Sequence, residues 1–119
     1  MKISLGGIER DGFVKLVVEG AITALDFSVD GKNPLEATLG PAWATFRLVL
    51  DVGGVPYVDS SAVGWLIGSQ KACRDAGGGI AIYRLQPAVK QVFDLLKVNK
   101  VVPTCDNELA AREALGGKA

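Results

Sequence analysis

The chain has 119 residues, 49% of them hydrophobic, with thirteen basic and thirteen acidic side chains and no histidine. That length suits one domain with a single core, expected over residues 1–119, and the balanced charge gives no pull toward nucleic acid or an anionic membrane surface. Without histidine, and with Cys73 and Cys105 in neither a metal nor a redox spacing, the chain offers no Ser–His or Cys–His dyad and no zinc pattern, so no metal or cofactor is expected.

Along the chain, Lys2 to Glu9 and Phe13 to Glu19 read as two strands joined through Arg10-Asp11-Gly12, because Asp-Gly between apolar runs is a hairpin signal. From Gly20 to Phe46, the glycines and prolines at 31, 34, 40 and 41 forbid a long helix. Asn33 as cap, Pro34 at the first helical position, Glu36 and Gly40 together predict a short helix over 34–39. Phe46 to Asp51 is a near-continuous apolar run, as in strands covered on both faces. Ser60 to Ala76 fits a helix with Ala62, Trp65, Leu66, Ala72, Cys73 and Ala76 at helical spacing, stopped by Gly77-Gly78-Gly79. Ile80 to Tyr83 is a strand, Pro87 starts a helix with Val89, Val92, Phe93 and Leu96 on one face, Val101-Val102 is a short strand, and a last helix covers about 107–115. Strands and helices alternate from residue 46 onward, which predicts an α/β layer with right-handed crossovers and a partly parallel sheet. No apolar run approaches the roughly 20 residues that span a bilayer, and Met1-Lys-Ile-Ser leads into no signal-peptide core. A soluble cytoplasmic protein without membrane insertion is expected.

The chemistry concentrates at Asp59-Ser60-Ser61, where an apolar strand gives way to a helix. The first helical N–H groups have no intrahelical acceptor and carry partial positive charge, so Asp59 suits the N-cap and a phosphate on Ser60 would sit at the helix mouth. As a cap alone, such residues contribute about 1 kcal/mol. Ser61, Gly64, Gly68, Lys71 and Asp75 share another face of that helix, and each interior glycine costs about 1 kcal/mol relative to alanine. That bare stripe serves either close packing or the docking of a partner. Lys71, Arg74 and Asp75 read as a solvated face or as a rim around the stripe. Trp65, by its spacing, belongs to the core rather than to a partner anchor, and Asp51 has a strand-end role rather than ligating a metal with Asp59. Cys73 packs as a small hydrophobe.

These residues resemble a STAS domain, the family of anti-sigma factor antagonists. The likeness lies in Asp51 closing a strand, in Asp59-Ser60-Ser61-Ala62-Val63-Gly64 opening a helix, in Gly77 to Tyr83 followed by Gln86-Pro87-Ala88-Val89 through Leu96, and in Asp106 to Leu115. The resemblance implies a small mixed β-sheet with helices packed against it, acting as a protein-binding switch and not as an enzyme. It implies a partner that is both anti-sigma factor and Ser/Thr kinase, with a PP2C-type phosphatase as the resetting partner. Carried over by position, Ser60 is the phosphoacceptor with Ser61 as second choice. The expected partner-binding set is Asp59, Ser60, Ser61, Gly64, Gly68 and Lys71. The chain departs from the family at Gly20-Ala21-Ile22-Thr23, where Thr23 stands in place of the signature aspartate, and at Ala62, where a glycine is common. A constitutive docking subunit of a transporter or a multiprotein sensor complex is the alternative these departures suggest.

Overall fold

The computed structural model describes residues 1–9, 12–27 and 33–116. Five strands, β1 (Lys2–Ile8), β2 (Phe13–Glu19), β3 (Arg47–Gly54), β4 (Gly79–Tyr83) and β5 (Thr104–Cys105), form one sheet in sequential order. The first pair is antiparallel and the other three are parallel. The helices are α1 (Pro34–Leu39), α2 (Ser60–Ala76), α3 (Pro87–Leu95) and α4 (Glu108–Ala114). The fold is therefore the mixed α/β sheet with packed helices that the sequence predicts. Arg10 and Asp11 of the hairpin turn lie outside the described residues.

Strand alternation divides the apolar residues into two cores. Val14, Leu16, Val18, Leu48, Leu50, Val52, Ile80 and Ile82 face the larger core, which Leu35 of α1, Leu66 of α2 and Phe93 of α3 complete. Phe13, Val49, Ala81 and Tyr83 face the other way, against Ala111 of α4. Asp51 shares this second face; buried, it pairs with the Arg84 guanidinium at 2.8 Å and accepts the Gly53 N–H. The sequence places Asp51 at the close of its strand; β3 runs on to Gly54, and the buried carboxylate instead anchors Arg84 and the Gly53 backbone.

The last strand is displaced from its predicted place. Val98–Lys100 forms a 3₁₀ turn that continues through Val101 and Val102, and the β5 pairing comes at Thr104–Cys105. Val102 is fully buried, so an apolar pair that reads as a strand is a core plug at the end of a turn. With β5 only two residues long, the outer edge of β4 is not capped by strand pairing at Ile80. The Gln70 side chain of α2 takes over: its Oε1 accepts the Ile80 N–H at 2.8 Å and its Nε2 donates to the carbonyls of Ile80 and Val101 at 3.1 and 3.2 Å. Two of the glycines that end α2 have separate tasks. Gly77 holds the left-handed C-cap at φ 92°, while a Cβ on Gly78 would run into the backbone carbonyl oxygens of Ala44 and Phe46. Ala76, expected on the apolar face, is exposed at the last position of the helix.

Candidate functional site at the mouth of helix α2

The chain after β3 turns back beside the chain that leaves β2. Ile22 and Val58 form a parallel bridge, the Ile22 N–H donates to the Tyr57 carbonyl, and the Asp59 N–H donates to the Ile22 carbonyl. With Val55 and Val58 buried, this annealing fixes where α2 begins. Asp59 is its N-cap, in extended backbone, and its carboxylate is fully used: Oδ1 accepts the Ala62 N–H at 3.1 Å, and Oδ2 accepts the Ala24 N–H at 3.0 Å. The first bond is the expected cap. The second, to a residue 35 positions earlier, carries no sequence signal, because it depends on the bridge that brings the 3₁₀ turn Ala24–Asp26 alongside.

Ser60 follows at the first helical position, exposed, and Ser61 is half-buried. Neither hydroxyl makes a hydrogen bond among the described residues. Ser60, Gly64, Gly68 and Lys71 are all exposed and lie four, four and three residues apart, so the structure brings them onto one stripe, with Asp75 continuing it. A Cβ placed on Gly64 or Gly68 meets nothing within 4 Å. Close packing within the chain is therefore not what the glycines serve.

The other face of α2 holds the segment that precedes β3. Phe27 stacks on Trp65 with ring centroids 5.3 Å apart, and the Trp65 indole N–H donates to Asn33 Oδ1 at 3.0 Å. The same Asn33 Oδ1 caps α1 through the Leu35 N–H, while Nδ2 donates to Ser69 one turn beyond Trp65. Trp65 is thus half-buried and committed to intramolecular packing, in line with its spacing. The cap at Asn33 is legible from its place before Pro34; its grip on α2 is not. Ala62 is buried against a small apolar void shared with Val18, Ile22, Trp65 and Phe93. Its extra methyl group points inward, so this departure from the family pattern leaves the outer surface at Ser60 unaltered.

Burial pushes the Cys73 thiol up to about 11, which makes it a packing residue and not a nucleophile. Cys105 is half-buried, its thiol also raised by burial and then by Asp106. It lines a polar cleft of about 460 Å³ with Arg84, Lys90, Asp94 and Asp106. Among the described residues no cluster of three metal-ligating side chains occurs, and no helix is long and apolar enough to cross a membrane.

Comparison with known proteins agrees with this geometry. The STAS domain family model matches residues 11–111. An anti-sigma F factor antagonist of Paenibacillus polymyxa is 31% identical over 65 residues, which is 55% of this chain and 56% of that protein. The chain thus matches little more than half the length of this curated relative. Among solved structures, a Thermotoga maritima protein assigned as an anti-sigma factor antagonist superposes with a TM-score of 0.78 at 19% identity, covering 96% of this chain and 94% of that one. The anti-sigma factor antagonist SpoIIAA in its unphosphorylated form gives 0.70 at 15% identity, covering 99% and 100%. By its family match and by the sheet, helices and α2 mouth described above, the chain belongs to the STAS domain family.

Proposed function

We propose that this STAS domain, spanning residues 1–119, is a non-catalytic regulatory switch in the cytoplasm: an anti-sigma factor antagonist controlled by phosphorylation of Ser60. The observation that carries the reading is the state of Ser60 itself, an exposed serine whose hydroxyl is unengaged among the described residues, at the first position of a 17-residue helix and followed along its stripe by the bare glycines Gly64 and Gly68. The match to an anti-sigma F factor antagonist supports the class of partner. In the unmodified form Asp59, Ser60, Ser61, Gly64, Gly68 and Lys71 would meet an anti-sigma factor that is also a Ser/Thr kinase. Transfer then joins Ser60 Oγ to the γ-phosphorus of the partner's nucleoside triphosphate, breaks the bond to the bridging oxygen and leaves the diphosphate; the hydroxyl proton passes to a base of the partner. Phosphate adds about −1.5 to −2 charge. Docked against a partner, that charge costs repulsion and desolvation, whereas in the free protein the positive end of α2 accommodates it. A PP2C-type phosphatase would restore the serine.

The test has two parts. Mass spectrometry of the protein from its native cells, under phosphatase inhibition, should find phosphate on Ser60 in the peptide spanning Val55 to Lys71, and Ser60→Asp should lose binding to the copurifying kinase. A peptide that stays unmodified across growth and stress conditions, with Ser60→Ala and Ser60→Asp retaining the same partner in stable stoichiometry, would replace the switch by the constitutive docking subunit. The firm attachment of the segment before β3 to α2, through Phe27–Trp65 and Asn33–Ser69, is what favours that second reading.

A further inference from the structure

We propose that Asp59 tethers the turn Ala24–Asp26 to the mouth of α2, and that a phosphate on Ser60 releases this tether; the inference rests on Ser60 being the phosphoacceptor. The two oxygens of the Asp59 carboxylate hold two separate elements, Oδ1 the first turn of α2 at Ala62 and Oδ2 the start of the 3₁₀ turn at Ala24. The turn presents Leu25, which is 84% exposed, one residue from the tether. Tyr57, 54% exposed, lies in the connection between β3 and α2, and its carbonyl accepts the Ile22 N–H. A large exposed apolar side chain thus follows directly on the residue whose N–H is bound by the carboxylate that would adjoin the phosphate.

The remaining attachments of the turn are at its ends and at Asp26. Ile22 is held upstream by the bridge to Val58, and Phe27 downstream by the Trp65 ring. Asp26 closes the turn on itself by accepting the Thr23 N–H at 2.8 Å, and its other oxygen pairs with the Met1 ammonium at 2.9 Å, a contact made by neither Asp59 nor Ser60 that the phosphate leaves in place. Between these ends, the Ala24 N–H has Asp59 as its acceptor. Phosphate at Ser60 acts on Asp59 in two ways. It sets a dianion beside a carboxylate, and it supplies acceptor oxygens for the N–H groups of the first turn of α2 that Asp59 otherwise serves. The Ala62 N–H then has a substitute acceptor, but the Ala24 N–H, on the exposed side, has water. The tether to the turn gives way while the cap is kept. Modification therefore moves Leu25 relative to the helix mouth, altering the shape of the docking surface as well as its charge.

The experiment installs phosphoserine at position 60 co-translationally in the full chain and measures amide hydrogen exchange residue by residue by NMR. Ala24 should exchange about tenfold faster in the phosphoserine protein than in the unmodified one, with Ala62 still protected and Ser60→Ala indistinguishable from the unmodified chain. Asp59→Asn should free Ala24 without any phosphate, and phosphoserine on that background should add nothing further. Ala24 exchange unchanged by phosphoserine overturns the tether mechanism, as does an acceleration that survives in full on top of Asp59→Asn. Because the phosphate is installed genetically, these outcomes do not depend on a kinase acting on Ser60 in cells, so failure of the tether and failure of the switch are read separately.

Discussion

Replacing Gln70 by Leu tests the claim that a side chain completes the edge of the sheet. The substitution keeps the volume similar and removes the amide that accepts the Ile80 N–H and donates to the Ile80 and Val101 carbonyls. The Val101 carbonyl retains the Arg74 guanidinium as a donor at 3.1 Å. Ile80 has no such substitute: its N–H and C=O lie on the edge of β4 away from β3, where β5 pairs only Ile82 and Tyr83. One buried donor and one buried acceptor are left unsatisfied, each costing about 1–3 kcal/mol, and burying the leucine side chain in place of the amide returns about 1 kcal/mol. The net loss is about 1–5 kcal/mol, to be read from urea denaturation as a lowered midpoint at unchanged slope. A loss below about 0.5 kcal/mol, the size of an ordinary surface substitution, would refute the reasoning and mean that water replaces the amide at no cost. Gln70→Glu sharpens the test. Only the protonated carboxyl can donate to the Ile80 carbonyl, so its folded pKa should lie above its unfolded value. The stability this confers is complete below the unfolded pKa and lost as pH rises through the folded one.

Gly64→Ala and Gly68→Ala should each stabilise the free protein by up to about 1 kcal/mol in thermal or urea unfolding, since both are helix-interior sites with open space at Cβ; the same variants should weaken partner capture if the stripe is the docking surface. Gly78→Ala should destabilise by more than the roughly 1–2 kcal/mol that the left-handed φ costs Gly77→Ala, because its Cβ meets backbone that cannot rotate away, and urea midpoints of the two variants give the comparison. Glu108 is held below the ordinary value of 4.5 first by the hydrogen bond from Lys15 and then by Arg112. Its contribution to stability is full above that ordinary value and lost as pH falls through the lower folded one, so Lys15→Met should flatten the acid side of the stability–pH curve in proportion. In a thiol-reagent titration Cys105 should react in the native state, slowly, and Cys73 only on unfolding, because the latter is buried and its thiolate disfavoured.

Local chemistry is enough to place several elements of the fold. Asn33 before Pro34 starts α1, Asp59 caps α2, Gly77 ends it, and the near-continuous apolar run of β3 marks a strand covered on both faces; each follows from propensity and patterning within a few positions. The Asp-Ser-Ser junction was legible for the same reason, as was the stripe of Gly64, Gly68 and Lys71. Other features depend on how distant segments meet. Val101-Val102 has the composition of a strand but follows a 3₁₀ turn and plugs the core, because Val98 and Val102 must both be buried beside α3. Gln70 reads as a polar residue on a helix and is a buried stand-in for a strand. The second oxygen of Asp59, and both ends of the Asn33 amide, bind residues far along the chain. Such long-range hydrogen bonds leave no periodic trace, since their partners are set by how the sheet closes and not by neighbours in sequence.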